Sequence, residues 1–209
     1  MDIQSFVISK ETTGKSVAFV IRKGALSYDE KGMHDNENKM LREDIIKHIV
    51  KVSGDDPIIY FLAVGSTGHS SSVALGLAIN KPEIKIWSVD RDGAVLMHMD
   101  SMAVIGANCP DNLVHVIINN GAHETVGGMS TVAGTIDLAG VARACGYPYT
   151  VCVDNFEDLN RELTVAKQRG ELSLIKVKCS IGARDDLGRP KTTTIENEQN
   201  FMEYIGQLK

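Results

Sequence analysis

The sequence predicts an α/β protein whose mostly parallel sheet carries helices on both faces. Apolar runs of strand length alternate along the chain with segments in which apolar residues recur at helical spacing. The strand-length runs are continuously apolar, which is typical of parallel strands buried on both sides. With 209 residues, 43% of them hydrophobic and 23% charged, the chain suits one domain with a short appended arm.

The N-terminal part contributes the first elements in order. The apolar run SVAFVI predicts a strand over residues 16–21, and the polar stretch at residues 27–38 is typical of a linker. Apolar residues at helical spacing predict a helix over residues 40–50, and PIIYFLAV predicts a buried strand over residues 57–64. A Gly-rich turn at residues 65–68 follows that strand directly.

The same alternation continues to the C-terminus. SSSVALGLAIN predicts a helix over residues 70–80, IKIWSV a strand over 84–89, and a Met-rich segment a helix over 93–105. LVHVII predicts a strand over residues 113–118, followed at once by the loop NNGAHETVGG. The remaining predicted elements are a helix over 137–144, a strand over 149–153, a helix over 156–168, a strand over 172–177 and a helix over 196–208.

Composition excludes several classes of function. The formal net charge is −5 and no basic block occurs, so the positive footprint that nucleic acid binding requires is missing. No apolar run is long enough to span a bilayer, and the first residues lack a signal-peptide pattern. The four cysteines show no CxxC spacing, which predicts a cytoplasmic protein with reduced thiols and no structural zinc.

Three polar, Gly-containing loops follow predicted strands, at residues 65–70, 90–93 and 119–128. Ligands of open parallel sheets bind outside the carboxyl ends of the strands, which is where these loops lie. We therefore expect the functional site to be built from these three loops.

The pair Asp92 and Asn120 predicts a metal site. Asp92 follows a strand and precedes Gly93 at the start of a helix, where backbone N–H groups favour an anion. Asn120 lies 28 residues after Asp92, about one βα unit with its next strand, so the two strand ends are expected to be neighbours. One carboxylate, one amide oxygen and phosphate oxygens form a typical Mg²⁺ environment. Singly, an N-cap aspartate and an Asn-Asn-Gly turn are ordinary features; together they are more specific.

This spacing resembles the thiamine diphosphate fingerprint, in which Gly-Asp-Gly is followed one βα unit later by Asn-Asn. The stretch DGAVLMHMDSMAVIGANCPDNLVHVIINNGAHETVGGMSTV resembles the phosphonopyruvate decarboxylases, and the sulfopyruvate decarboxylases more distantly. The turn GSTGHSSSVALGLAINKP and the tail GARDDLGRPKTTTIENEQNFMEYI resemble the same family. The resemblance implies a thiamine diphosphate-binding (PP-type) domain over residues 39–209. Residues 1–38 form an arm and linker resembling the end of a pyrimidine-binding domain.

The resemblance also implies the cofactors, thiamine diphosphate and Mg²⁺, and a set of site residues. The implied reaction is non-oxidative decarboxylation of a small anionic 2-oxo acid, foremost phosphonopyruvate to phosphonoacetaldehyde. His123 and Glu124 are implied to contact the diphosphate or handle protons, with loop hydrogen bonding as the alternative role. The implied metal ligands are Asp92, Asn120 and the Ala122 carbonyl, and the implied cofactor contacts are Gly65, Ser66, Thr67, Gly68, His69, Asp92, Gly93, Ala94, Asn120 and Ala122.

The chain departs from the family pattern in three respects. Arg91 stands where the family has the glycine before the metal aspartate, and a position that needs positive φ would be strained by it. A Thr-Gly-Lys segment and a following helix are missing before the Gly-Ser turn, where GDDPIIYFLAVGS runs the two parts together. The glutamate that activates the cofactor belongs to a pyrimidine-binding domain, so a partner domain or subunit and a homo- or hetero-oligomer are expected.

Several alternatives remain open from the sequence. A sulfopyruvate decarboxylase-type subunit would share these motifs, and a non-catalytic relative with a structural or regulatory role would explain Arg91 and the missing segment. A nicotinamide-binding domain is disfavoured because GxGxxG does not follow the first strand. Arg184 and Arg189 are candidates for contact with a phosphonate, with surface charge as the more ordinary explanation.

Overall fold

The computed structural model describes residues 4–10, 16–22, 40–53, 67–124, 127–182 and 193–207. Within them, six strands form one sheet and two short strands form a separate hairpin. The strands are β1 (Gln4–Lys10), β2 (Ser16–Arg22), β3 (Lys85–Arg91), β4 (Leu113–Asn119), β5 (Ala122–His123), β6 (Met129–Ser130), β7 (Tyr149–Val153) and β8 (Ser173–Lys178). The helices are α1 (Arg42–Ser53), α2 (Ser70–Asn80), α3 (Asp92–Met97), α4 (Ser101–Asn108), α5 (Leu138–Ala144), α6 (Phe156–Gln168) and α7 (Thr194–Gln207).

The sheet has the order β1-β2-β3-β4-β8-β7. Only β1 and β2 pair in the antiparallel direction, and β2, β3, β4, β8 and β7 run parallel to one another. This arrangement confirms the predicted mostly parallel sheet. The strands of the N-terminal arm continue this sheet, because residues 17–21 of β2 pair with residues 85–89 of β3.

Apolar side chains alternate between the two faces of the sheet and fill a core on each. In β3, Ile86 enters the core beneath α2, α4, α5 and α7, whereas Trp87 and Val89 enter the core beneath α1 and α6. All three side chains are almost completely buried, as expected for strands covered on both faces. None of the described helices combines the length and the apolar character needed to cross a bilayer.

The predicted single helix over residues 93–105 is wrong, because the structure has two helices there. The break lies at His98, whose φ of −138° and ψ of 53° leave the helical region at the end of α3. The His98 ring packs against the His69 ring, with 4.0 Å between ring centroids, so a tertiary contact accompanies the change of direction. Sequence reasoning also missed β1 and the β5–β6 hairpin, and its strand over residues 57–64 lies outside the described residues.

Helix α4 approaches the end of α5 without an intervening side chain. Gly106 of α4 lies against the backbone carbonyl of Cys145, and a Cβ atom built on Gly106 would lie 2.7 Å from the Cys145 carbonyl carbon. Gly146 follows with a φ of +101° and packs back on Gly106. Close packing of these two helices therefore depends on glycine at position 106.

Candidate functional site

The ends of β3 and β4 bring the two central candidate loops together. Arg91 pairs with Ile118 in the parallel register, so the residues that follow each strand emerge side by side. Asp92 is the first residue of α3 and is completely buried, and Asn120 follows β4 and is buried as well. This placement agrees with the expectation that Asp92 and Asn120 occupy neighbouring strand ends.

Asp92 presents one carboxylate oxygen that no described residue contacts by a hydrogen bond. Its Oδ2 accepts a hydrogen bond of 2.5 Å from the Thr131 hydroxyl, whereas its Oδ1 is buried and accepts none from the part of the chain that the structure describes. Burying a carboxylate oxygen without a partner is costly, so such an atom is rare unless it serves a ligand. The arrangement fits a cation bound at Oδ1.

The Asn120 amide has a fixed orientation. Its Nδ2 donates to Glu124 Oε2 at 2.7 Å, and its Oδ1 accepts from the backbone N–H of Ala122 at 3.1 Å. Because a carboxylate only accepts hydrogen bonds, the contact with Glu124 identifies the nitrogen side of the amide. A carbonyl-type oxygen has two lone pairs, so Oδ1 retains one for a metal ion.

Thr131 joins the two loops, and sequence reasoning did not single it out. Its hydroxyl donates to Asp92, and its backbone N–H donates to the Gly121 carbonyl at 2.9 Å. The β5–β6 hairpin, in which Ala122 pairs with Ser130, brings it into this position. The sequence around Thr131 does not indicate this role. The hairpin that positions Thr131 has strands of only two residues, which are too short to show a strand pattern in the sequence.

Arg91 and Glu124 form a buried ion pair beside Asn120. Arg91 Nη2 lies 2.9 Å from Glu124 Oε2, and the two side chains are 4% and 13% exposed. Arg91 has a φ of −92° and a ψ of 154°, which is extended backbone that any residue adopts. The strain expected from a non-glycine residue at this position is therefore not present.

The histidines and the remaining glycines pack around the first turn of α3. A Cβ atom on Gly93 would lie 2.6 Å from His123 Nδ1, so the imidazole rests on the glycine backbone. Gly68 has a φ of +90°, and a Cβ atom there would meet the Ala94 carbonyl oxygen at 2.6 Å. The part of the turn that the structure describes, residues 67–69, therefore touches the same helix, whereas Gly65 and Ser66 lie outside the described residues.

A buried polar cluster beneath the site was also not foreseen. His115 Nε2 lies 3.2 Å from Asp90 Oδ2, and the Ser88 hydroxyl donates to the same oxygen at 3.2 Å. The Tyr147 hydroxyl lies 3.4 Å from His115 Nδ1. Burial raises the pKa of the Tyr147 phenol, and Cys145 and Asp90 raise it further, so this phenol stays protonated. The cluster supports the end of β3 from inside the core.

The described residues contain no group of three or more His, Cys, Asp or Glu side chains arranged to hold a metal ion. A cation at Asp92 would therefore take its other ligands from amide and backbone oxygens and from a bound anion. Mg²⁺ suits this donor set, since it prefers few carboxylates together with water and phosphate oxygens. The N-cap residue of α3, Arg91, does not cap the helix with its side chain, and the N–H groups at the start of a helix suit an anion.

Replacing Thr131 by valine is expected to lower the free energy of unfolding by about 1–3 kcal/mol, because Asp92 then loses its hydrogen-bond donor while buried. Chemical denaturation of the unliganded chain measures this change. Thr131→Ser keeps the hydroxyl and should stay close to the original protein. Thr135→Val, which removes an exposed hydroxyl that donates to Val132 O, should change stability by less than about 0.5 kcal/mol. Equal losses for Thr131→Val and Thr135→Val would contradict the bridging role.

Comparison with known families gives a match over most of the described core. The family model of the thiamine pyrophosphate enzyme, C-terminal TPP binding domain, matches residues 45–177. Benzoylformate decarboxylase from Polynucleobacter necessarius has a similar fold, with a TM-score of 0.59 over 77% of this chain and 36% of that one. The identity in that alignment is 12%, so it supports the fold alone.

Two relatives have similar sequences but very different lengths. Phosphonopyruvate decarboxylase of Streptomyces viridochromogenes is 37% identical over 151 residues, which are 72% of this chain and 38% of that protein. Sulfopyruvate decarboxylase subunit beta of Methanocaldococcus jannaschii is 32% identical over 184 residues, covering 78% of this chain and 96% of that subunit. The chain thus spans well under half of the first relative and nearly all of the second.

Proposed function

The chain belongs to the thiamine pyrophosphate enzymes through their C-terminal TPP-binding domain, and on this basis we propose that it holds thiamine diphosphate through Mg²⁺. We propose that it forms the diphosphate-binding part of a non-oxidative 2-oxo-acid decarboxylase, with phosphonopyruvate as the favoured substrate. The observation that carries the proposal is the buried Asp92 Oδ1, which has no hydrogen-bond partner among the described residues, beside the oriented amide of Asn120. The similarity to phosphonopyruvate decarboxylases supports the choice of substrate.

In this proposal the chain's own groups bind and orient the cofactor. Asp92 Oδ1, Asn120 Oδ1 and the Ala122 carbonyl hold the metal ion, and the backbone N–H groups of Gly93 and Ala94 bind the diphosphate. Gly68 packs against the Ala94 carbonyl of α3. Thr67, Gly68 and His69 are proposed to contact the cofactor from this side. The bound cofactor supplies the electron sink for the loss of CO₂.

Proton transfer is assigned to His123 and a positioning role to Glu124. The His123 ring lies against Gly93, next to the proposed diphosphate amides, and imidazole is the side chain that most often serves as a general acid or base. Both carboxylate oxygens of Glu124 already accept hydrogen bonds, from Asn120 and from Gly182 among others. A carboxylate engaged in this way is better suited to orienting neighbours than to exchanging protons.

The proposal requires a second protein component. In the family that the sequence resembles, the activating glutamate comes from a pyrimidine-binding domain, so we propose a partner domain or subunit and a homo- or hetero-oligomer. The near-complete coverage of a sulfopyruvate decarboxylase beta subunit supports a separate partner chain. All four cysteines are free thiols, which supports a reducing, cytoplasmic location.

The same coverage favours a second candidate, a subunit of the sulfopyruvate decarboxylase type. Assays should combine the purified chain, thiamine diphosphate, Mg²⁺ and a pyrimidine-domain chain encoded by a neighbouring gene, and then follow CO₂ release from phosphonopyruvate and from sulfopyruvate. Faster turnover of phosphonopyruvate supports the first candidate, and faster turnover of sulfopyruvate supports the second. Cofactor binding without turnover of either acid by any candidate pair would point to a non-catalytic, structural or regulatory relative.

A further inference from the structure

The Glu124 carboxylate connects three segments that are distant in sequence. It accepts from Arg91 Nη2 at 2.9 Å, at the end of β3, and from Asn120 Nδ2 at 2.7 Å, in the loop after β4. Its other oxygen accepts from the backbone N–H of Gly182 at 2.7 Å, beyond the end of β8. One side chain therefore ties together the residues that follow three neighbouring central strands.

The charge of this carboxylate is tolerable because Arg91 is next to it. At 13% exposure, an ionised glutamate without a counter-charge would be costly, and Asp92 adds a second buried negative charge one residue after Arg91. The positive guanidinium lies within 2.9 Å of the carboxylate and compensates its charge. The pair is more than a surface contact, because Arg91 is only 4% exposed.

The ion pair also determines which end of the Asn120 amide is available. With Nδ2 held by the carboxylate, Oδ1 points away from Glu124, where it accepts from the Ala122 N–H. A flipped amide would place its oxygen against an ionised carboxylate, which repels it. We propose that Arg91 and Glu124 are positioning residues that form a buried latch, here called the Arg91–Glu124 latch, which fixes the Asn120 amide oxygen toward the metal ion. This inference rests on the proposed function.

The latch gives Arg91 a role that the sequence pattern did not suggest. In the resembled family this position is glycine, so an arginine looks like damage to the metal motif. The extended backbone at Arg91 accommodates any side chain, and the guanidinium turns toward Glu124 in the next loop. Arg91 thus adds a support to the Asn120 loop.

The first test observes the amide directly and needs no cofactor. In nuclear magnetic resonance spectra of the full 209-residue chain, the Asn120 side-chain NH₂ signal is assigned by its loss in Asn120→Asp. We expect slow hydrogen exchange for this group, since its nitrogen donates to a buried carboxylate. In Glu124→Gln, the new amide nitrogen faces one of the three groups that donate to Glu124, those of Arg91, Asn120 and Gly182. In Arg91→Met, the counter-charge of Glu124 is removed. Both variants should therefore shift the Asn120 NH₂ signal and speed its hydrogen exchange. Unchanged exchange in both would overturn the latch.

The second test measures the metal. Outer-shell partners of metal ligands typically contribute roughly 10- to 100-fold in affinity. The Mg²⁺ concentration for half-maximal binding of thiamine diphosphate, measured by calorimetry with the pyrimidine-domain partner present, should therefore rise by that factor in Glu124→Gln and in Arg91→Met. The double variant should show less than the product of the two effects, because both act through one amide. Arg91→Lys keeps the positive charge but loses the planar guanidinium with its several donors, so a smaller rise in the Mg²⁺ concentration is expected.

Matched controls separate the latch from other effects. Arg161 forms an exposed ion pair with Asp158, so Arg161→Met should leave both readouts unchanged. If the original chain binds no cofactor with Mg²⁺ and partner, the proposed function fails before any variant is compared. If the original chain binds and the latch variants bind equally well, the latch fails while the proposed function stands. Where Arg91→Met does not fold, Arg91→Lys against Arg161→Met gives the comparison.

Discussion

Replacing Asp92 by asparagine is expected to abolish Mg²⁺-dependent binding of thiamine diphosphate while leaving the unliganded chain at least as stable. The asparagine oxygen still accepts the Thr131 hydrogen bond, so the variant removes the negative charge and little else. Loss of the proposed carboxylate ligand should weaken binding by at least about 100-fold, the upper end of what outer-shell partners cost. Removing a buried charge whose Oδ1 has no hydrogen-bond partner in the described parts of the chain should raise the thermal midpoint without ligand.

Two measurements check this prediction, calorimetric titration for binding and thermal unfolding for stability. Asp100→Asn is the matched control, because Asp100 precedes α4, is exposed and caps no backbone N–H with its side chain. The control should bind the cofactor like the original chain. Retained Mg²⁺-dependent binding in Asp92→Asn would exclude Asp92 as the main ligand, and a lower unliganded midpoint would mean that its charge stabilises the fold.

Replacing Gly106 by alanine is expected to destabilise the fold strongly, although alanine is the better helix former. Helix propensity alone predicts that replacing glycine by alanine in the middle of a helix raises the free energy of unfolding by about 1 kcal/mol. Here the new Cβ would overlap the Cys145 backbone carbonyl, which is not the flexible end of a side chain. Overpacking against backbone should cost about 3 kcal/mol, which corresponds to a fall in Tm of roughly 6–12 °C for a chain of this size.

Gly76→Ala is the matched control for this change. Gly76 lies in α2, is exposed, and has nothing within 4 Å of the position of an added Cβ. The control should raise stability by about 0.5–1 kcal/mol, so the two substitutions have opposite signs. Thermal and urea unfolding of both variants distinguish the two causes. A stabilised Gly106→Ala would show that α4 and α5 are not packed as closely as described.

The regular helices and strands were predictable because each shows an apolar pattern in its own sequence. The helices of α2 and α6 and the strand β7 have the predicted bounds, and the predicted parallel sheet is confirmed. The single helix predicted over residues 93–105 was wrong, and its break at His98 is accompanied by a contact between His98 and His69, in the turn before α2. That contact is distant in sequence and leaves no trace in the apolar pattern. The hairpin of β5 and β6 is too short to show a strand period.

The neighbouring positions of Asp92 and Asn120 at the ends of β3 and β4 were predictable from the sequence. Asp92 and Asn120 follow neighbouring strands, and the predicted membership of the thiamine pyrophosphate enzymes is confirmed by the family match. The supporting contacts were not predictable, since Thr131 and Gly182 reach the site from segments whose position the tertiary fold sets. The pairing of Arg91 with Glu124 was not predictable either, because spacing alone does not reveal a carboxylate in the next loop.

The position of β3 and β4 at the centre of the sheet has a consequence for hydrogen exchange. Their backbone amides should exchange only through the largest unfolding events, whereas those of the edge strands β1 and β7 are released by local fraying. The loop beyond β4 is held by side-chain contacts and by the short ladder of β5 and β6. Its backbone amides should exchange faster than those of β3 and β4 in the unliganded chain and slow sharply once a ligand is bound. The site thus combines a slowly exchanging base, formed by β3 and β4, with a loop whose exchange rate reports whether a ligand is bound.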